Sequence, residues 1–477
     1  MNYSALLASI SSRRVLALFA ASAAFLLLSI SSAWAGEFQA HVDYTTGIDP
    51  ASVAWGDFNG DGNLDLVTGD YDDDTQSVFL GNGDGTFQSR LFFPSGTCPL
   101  WMTVVDINID GKLDLVVTDH DSNTVSVILG NGDGTFQLPV QYPTGVTPLS
   151  LVIADFNGDG KLDMAVANAS DKSVSVLIGN GDGTFQSHVD YRAGATVLAV
   201  ALGDVNGDGK VDLVTANYNR NTIGVFLGNG DGTFQPHVDY ATGTRPNSVT
   251  VVDLNKDGKL DLVTANYDAN THSVSILLGD GTGSFPTHTE LAVGATTKGP
   301  YAAVVGDLNG DGKLDLVTAN GGGADVSVLL GNGNGTFQTH VEYPVIGEAK
   351  AVTIADFNKD GAPDLAVPNA NNTLSVLLNT GGTFIKSKSS LNPSQVGQSV
   401  TFTAKVTASL TGVGSPTGTV TFRDGANVLG VVNLANGQAA LTTSVLTVGN
   451  HRIQMQYSGD SAFNPHISRA FVQVVTQ

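Results

Sequence analysis

The chain has one cysteine, Cys98, in 477 residues. A single thiol excludes an intramolecular disulfide and any metal centre built on several thiolates, so stability must come from packing, repetition or oxygen-ligated metal. Basic residues are scarce: 22 Lys and Arg stand against 45 Asp and Glu, a formal net charge of -23. That balance argues against a nucleic-acid backbone or an anionic membrane surface as partner and suits something cationic. Only 14% of residues are charged and 7% aromatic, yet 42% are apolar, too many for a disordered chain. No G-x-S-x-G, H-E-x-x-H or Walker A string occurs, and no apolar run after residue 35 could span a bilayer.

Residues 1–35 read as an export signal. Arg13 and Arg14 precede the apolar run Val15 to Ile30, and Ala33-Trp34-Ala35 offers a small-residue cleavage site. The run is shorter than the ~20 residues of a membrane anchor, so the reading is cleavage before Gly36 and no membrane insertion afterwards. Paired arginines leave the general secretory and twin-arginine routes both open. An exported chain of this size without disulfides suggests a bacterial protein, secreted or at the cell surface.

What is present is repetition. The strings DFNGDGNLD, DINIDGKLD, DFNGDGKLD, DVNGDGKVD, DLNKDGKLD, DLNGDGKLD and DFNKDGAPD recur at spacings of 49, 49, 49, 49, 54 and 49 residues. Each is followed by a phenylalanine that usually closes GNGDGTF. Within a unit, stretches such as Ser150 to Ala154, Leu162 to Ala167, Val174 to Ile178 and Phe185 to Tyr191 have period two or are short buried runs bounded by Gly, Asn and Asp. Four strands per repeat of this length predict an all-β, seven-bladed β-propeller over 36–386. The segment Phe38 to Tyr44 matches the fourth strand of a blade, although no blade precedes it. The segment after Phe384 departs from the pattern, so the N-terminal strand is expected to complete blade seven and remove an open edge. From 387 to 477 the repeats vanish and alternating strands predict a small immunoglobulin-like β-sandwich.

The nine-residue string carries the chemistry. Position 1 is Asp57, Asp106, Asp155, Asp204, Asp253, Asp307 or Asp356; position 3 is Asn59, Asn108, Asn157, Asn206, Asn255, Asn309 or Asn358. Position 5 is Asp61, Asp110, Asp159, Asp208, Asp257, Asp311 or Asp360; position 9 is Asp65, Asp114, Asp163, Asp212, Asp261, Asp315 or Asp364. Hard oxygen ligands at alternating positions around the invariant sixth-position Gly are expected to fold onto one centre, as in the first half of a calcium loop. Position 7 is Asn63, Lys112, Lys161, Lys210, Lys259, Lys313 or Ala362, so only its backbone carbonyl can serve. Position 12, where an EF-hand needs Glu, is a β-branched residue in every copy, so the loop enters a strand and the ninth-position Asp closes the site. Seven loops of three aspartates hold 21 of the 45 acids, and such clusters repel unless a cation fills them. The expectation is Ca2+, up to seven ions.

D-x-N-x-D-G-x-x-D in β-rich repeats resembles the FG-GAP/VCBS repeats of the integrin alpha-subunit propeller and of many exported bacterial proteins. The resemblance implies that the loop joins strands one and two on one face and binds structural calcium. It also implies adhesion, without naming a ligand. SPTGTVTFRDGANVLG, followed by HRIQMQYSGDSAF, resembles the bacterial immunoglobulin-like domains of exported surface proteins.

Other features read as structural. The GNGDGTF strings suit turns between strands three and four, and His41, His188, His237, His288 and His340 recur on separate blade rims. Cys98 would need a nearby His base to act as a nucleophile. The loops joining strands two to three and four to one, on the face opposite the Asp loops, are where the copies differ, and both blade-five insertions fall there. Trp101, Tyr218, Arg220 and Tyr267 are the candidate ligand-face residues among them. The resulting expectation is a non-enzymatic, calcium-stabilised binding or adhesion protein that presents this face to a protein or glycan. A carbohydrate-active enzyme or lectin-like protein using the propeller mouth, or a structural matrix component, are the alternatives.

Overall fold

The computed structural model describes residues 38–268, 270–294, 298–409 and 414–477, where every regular element is a β-strand. The export signal read at 1–35 lies outside these residues, as do parts of both blade-five insertions, at 269 and 295–297. Seven four-stranded antiparallel sheets follow one another. The first contains Pro50–Gly56, Asp65–Asp70, Thr75–Phe79 and Leu91–Pro94, in that order. The second strand of every blade is buried along its whole length. Neighbouring blades cover both its faces, which is why strings such as LVT and MAV do not alternate with polar residues. The fourth strands lie outermost and are mostly exposed.

Blade seven is assembled from both ends of the propeller. Thr353–Ala355, Asp364–Asn369 and Thr373–Leu377 are joined by Val42–Thr45, with Val42 opposite Val376 and Thr45 opposite Thr373. Phe38 bridges Asn379 just beyond, so the orphan strand closes the ring.

Aromatic pairs run around that ring. The phenylalanine after each strand-three turn packs edge-on against an aromatic residue in the fourth strand of the preceding blade. These pairs are Tyr44 with Phe87, Phe93 with Phe136, Tyr142 with Phe185, Tyr191 with Phe234 and Tyr240 with Phe285, at centroid distances of 5.5, 5.4, 5.4, 5.5 and 5.8 Å. Phe38 makes the matching contact with Tyr343 at 5.2 Å and so takes the place of Phe384, which is diverted into the strand Thr383–Ser389. Blade five carries Leu291 in place of the aromatic, and Leu291 and Phe337 pack against the same buried cluster. Such pairs add about 0.5–1.5 kcal/mol each beyond their buried area.

The strand three-to-four turns also lock neighbours. The Gly134 and Gly232 N–H groups donate to the Phe58 and Phe156 carbonyls of the preceding blade's Asp loop, each at 3.0 Å.

Thr383–Ser389 pairs with Val400–Ala408 rather than with blade seven, so the first strand of the C-terminal sandwich begins at Thr383. One sheet adds Gln438–Thr443; the other is built on Phe471–Thr476, Gly449–Tyr457, Thr419–Asp424 and Asn427–Asn433. Phe402, Phe422, Ile453, Met455 and Tyr457 fill the space between them. This sandwich docks on the propeller: the Asn464 and Asn379 side-chain amides both donate to the Leu308 carbonyl, at 3.0 and 2.9 Å. The Asn464 N–H also reaches the Gly381 carbonyl at 2.7 Å.

Candidate functional site

Each Asp loop connects strands one and two and is organised by its own carboxylates. In the first, Asp57 accepts from the N–H groups of Asp61 and Gly62 at 3.1 and 2.8 Å, and Asn59 accepts from Asp61 at 3.0 Å. Asp61 accepts from the Asn63 N–H at 2.7 Å. The sixth-position Gly62 has φ +81° and open space where a Cβ would sit, so glycine is needed there for backbone conformation rather than room. Asp65 lies below the loop, fully buried, and accepts from the Phe58 and Gly81 N–H groups at 2.8 Å each. The third loop repeats this pattern.

The sequence predicted that positions 1, 3, 5 and 9 gather on one centre. Here positions 1, 3 and 5 knit the loop, while position 9 is pinned to the backbone beneath it. Among the described residues no three acidic, His or Cys side chains converge closely enough to hold a metal ion. Burial raises the pKa of Asp65, Asp114, Asp163, Asp212 and Asp261 above the usual carboxylate range, and the charges at positions 5 and 1 push it further. A second source of neutralisation went unread in the sequence. The seventh-position Lys112, Lys161, Lys210 and Lys313 ammonium groups approach Asp110, Asp159, Asp208 and Asp311 at 3.7, 3.9, 3.6 and 3.1 Å.

Loops six and seven differ from the rest because the C-terminal sandwich covers them. Asp360 is fully buried under Gly382, whose hypothetical Cβ would lie 1.9 Å from the Asp360 carboxyl, and Ala362 is buried as well. Burial lifts Asp360 and Asp315 to about 6 and Asp364 well above the ordinary range. Asp307 Oδ1, also buried, has no hydrogen-bond partner.

At the opposite end of the ring, a cavity of about 280 Å³ opens at the mouth of the central channel. Blades one to six contribute the second residue of their first strand to the rim, and blade seven contributes Lys350, three residues before its first strand Thr353–Ala355. Leu100, Leu149 and Leu198 from blades two to four make one side; Asn247, Tyr301 and Lys350 from blades five to seven make the other. Tyr301 is stacked on Tyr267 at 4.9 Å and lies under the Lys350 ammonium at 5.6 Å. Lys350 reaches Asp49 at 3.4 Å, and Lys298 reaches Glu348 at 2.8 Å.

Of the four ligand-face candidates, Tyr218, Arg220 and Tyr267 lie just beyond second strands as expected. Arg220 pairs with Asp239 at 3.4 Å, and Tyr218 sits under the Arg245 guanidinium at 5.7 Å. Trp101 is a correction: it belongs to the first strand Pro99–Val105 rather than to a loop, and it lines the channel. Ser52, Ser150, Ala199, Ser248, Ala302 and Ala351 occupy its place in the other blades. The register irregularity beside Trp101 belongs to the blade design, since strand one shifts after its first residue in blades one and three to six as well; in blade two pairing resumes at Met102, and the Trp101 N–H donates to Thr118 Oγ1 at 3.0 Å. Aligning the seven copies and looking for the odd residue at a small position would have found it.

A family model described as the FG-GAP-like repeat matches residues 57–117, 106–166, 155–215, 204–264, 253–318 and 307–367, in overlapping pairs of units. The chain is an FG-GAP repeat protein. A second model, the bacterial Ig-like domain (group 3), matches residues 387–476. No curated protein matches the chain. Among solved structures, an Agrocybe aegerita lectin that recognises non-reducing terminal N-acetylglucosamine is 20% identical with a TM-score of 0.47, over 65% of this chain and 91% of its own. The BBS1N structure, solved in complex with ARL6DN, is 14% identical with a TM-score of 0.50, over 72% and 97%. A candidate 6-phosphogluconolactonase from Bacteroides fragilis is 16% identical with a TM-score of 0.49, over 63% and 86%.

The remaining features of the FG-GAP blades resolve locally. His41 and His188 pair with Asp43 and Asp190 of their own fourth strands at 2.7 and 3.0 Å, and His237, His288 and His340 lie 3.6–3.7 Å from the acid two residues on. Cys98 does have a histidine nearby: its Sγ approaches Asp121 at 3.4 Å, and Asp121 is 2.6 Å from His120. Burial, reinforced by Asp121, pushes the thiol up to about 11, so it stays protonated at neutral pH.

The last residue of each second strand is a buried Asp or Asn: Asp70, Asp119, Asn168, Asn217, Asn266, Asn320 or Asn369. A Cβ on Gly96 would stand 2.1 Å from the Asp119 carboxyl, so glycine is required at that close approach. Burial pushes Asp119 up to about 6, against hydrogen bonds from Ser126, Thr124 and Gln141. The folded state therefore holds the proton more tightly than the unfolded chain. Stability is fully present below pH ~4 and falls as pH rises towards ~6. Asp119→Asn, the residue in five sister blades, should remove that fall. It should raise stability by about 2 kcal/mol at pH 7 and leave it nearly unchanged at pH 4. Urea denaturation at the two pH values measures this, and an equal effect at both would show that Asp119 does not titrate as described.

Proposed function

We propose that this is an exported, non-enzymatic binding or adhesion protein whose propeller presents its variable mouth face to a protein or glycan and uses calcium in its Asp loops as a structural ion. The observation that carries the reading is the division of the ring into two ends. One end is seven near-copies of an oxygen-rich loop; the other gathers the residues in which the blades differ around an open cavity. Support for calcium is the chemistry of the donor types in each loop, three carboxylates, an amide oxygen and a backbone carbonyl, all hard oxygen, although the three carboxylates do not converge here and binding would have to draw position 9 towards the loop. The orphaned Asp307 oxygen adds to it. In the first loop the ligands would be Asp57, Asn59, Asp61, Asp65 and the Asn63 carbonyl, and the other six sets would follow by position. Export rests on the residue pattern of 1–35; among the described residues no helix is long and apolar enough to cross a membrane.

The two acids nearest the cavity, Asp49 and Glu348, are each held by a lysine, which suits recognition better than proton transfer. A glycan array and a cell-surface protein panel, probed with residues 36–477 in calcium and in EDTA, test the reading. Replacing Trp101, Tyr218, Arg220 and Tyr267 together with Ala should weaken any binding found by about 2 kcal/mol or more, and leave the calcium-dependent part of the melt unchanged. Unaltered binding, with loss on changing the sandwich instead, would move the site to the C-terminal domain.

A further inference from the structure

The channel mouth is two-sided in a way no single blade encodes. Leu100, Leu149 and Leu198 are aliphatic and adjacent; Asn247, Tyr301 and Lys350 face them, with the Asn247 amide N–H donated to the Tyr301 carbonyl at 2.6 Å and the Tyr301 hydroxyl 3.4 Å from that of Tyr267. Trp101, 38% exposed, stands at a level where the other six blades carry Ser or Ala, so its ring fills part of the cavity that small residues leave open. Ser248 Oγ lines the same cavity, is buried and has no hydrogen-bond partner. The charges are already compensated, because Lys350 is paired with Asp49 and Lys298 with Glu348.

Each feature narrows the occupant. A charged ligand finds no uncompensated partner here, and the chain's net charge of -23 repels anions at a distance. A saturated acyl chain would leave the polar side and Ser248 unpaired, at a desolvation cost. A sugar carries hydroxyl groups around its perimeter, and the three leucines cannot satisfy those on their side. A flat ring with apolar faces and one hydrogen-bonding edge matches both sides: its faces pack on Trp101 and the leucines, and its edge meets the Asn247 side-chain oxygen and the unpartnered Ser248 hydroxyl.

We infer that the mouth is a binding pocket for one uncharged phenol-type ring, which inserts between the Leu100–Leu149–Leu198 side and the Asn247–Tyr301 side over Trp101. The inference rests on the reading of this face as the recognition face and gives that face a ligand chemistry. The ring could arrive as a free phenol or as a tyrosine side chain of a partner.

Calorimetric titration of the whole chain with p-cresol, N-acetyl-tyrosinamide and methyl glucoside tests it. Saturable one-to-one binding of the first two and not of the third is expected. The tighter of the two phenols identifies whether the ring comes free or on a peptide. Trp101→Ser and Leu149→Asn install residues that sister blades carry at the same places, so both variants should melt as the parent does while affinity falls by about tenfold or more. Absence of saturable phenol binding overturns the inference, as does equal binding by both variants or saturation by the glucoside instead. None of these results touches the wider reading of the face, because the four-residue variant on a macromolecular ligand decides that separately.

Discussion

A chain truncated to begin at Ala51 should unfold at a midpoint lower by roughly 10 °C or more, or aggregate outright. Blade seven then has only three strands, because its fourth is Val42–Thr45, and Thr373–Leu377 is left as an unpaired edge. The truncation also removes Phe38, which packs on Tyr343, and Tyr44, which packs edge-on against Phe79 and Phe87. Loss of a buried aromatic ring alone costs about 3–5 kcal/mol. Phe38 and Tyr44 sit at the two ends of the segment and face blades six and one, so both seams beside blade seven open together. A milder version separates pairing from packing. Phe38→Ala keeps the strand and should cost about 3 kcal/mol, with the backbone ladder from Val42 to Thr45 still protected in hydrogen exchange. A truncated chain that melts with the parent and stays monomeric would show that the ring does not depend on its N-terminal strand.

Excess EDTA should lower the melting midpoint by many degrees relative to millimolar calcium. A ligand that binds the folded loops and not the unfolded chain stabilises by about 2.7 kcal/mol per site at a hundredfold excess over its dissociation constant, and seven loops are available. The effect should be largest at low ionic strength, where clustered carboxylates repel most. Asp159→Asn, in a loop that the sandwich does not cover, should remove one ion from the calorimetric stoichiometry and leave the others. Loops six and seven lie under the C-terminal sandwich, so their ions should exchange more slowly than those of loops one to five. Identical melting with and without calcium would reject the metal. In that case the lysines beside Asp110, Asp159, Asp208 and Asp311 become the agents that neutralise the loops, and replacing them with Ala should lower the melt instead.

Much of this architecture is legible in the residues because it is repeated. Seven copies of one string, spaced by about one blade, leave few architectures open, and the lone fourth strand at Phe38 to Tyr44 announces its own pairing. Gly62 and its equivalents mark the left-handed turn of each Asp loop, and that requirement is local enough to read from one residue. The Asp or Asn that ends each second strand was not read, because in five of the blades its meaning depends on a glycine more than 20 residues earlier that leaves room for it. Trp101 was placed in a loop because the start of the first strand was set too late; that a large ring stands where six blades have small residues is legible in the aligned copies, and only its position on the channel wall needed the paired strands.

Sequence alone determined that the chain is all-β, that it has seven blades and an immunoglobulin-like tail, and that its acids are concentrated in one kind of loop. These follow from periodicity, turn chemistry and charge, which act over a few residues and recur. Tertiary structure decided which ends meet. It laid the tail over loops six and seven, buried Asp360 beneath Gly382, and set three leucines opposite an amide, a phenol and an ammonium across the channel. Each of these joins residues from different blades or domains, and the physical reason they escape the sequence is that closing the ring brings into contact side chains that no local pattern links.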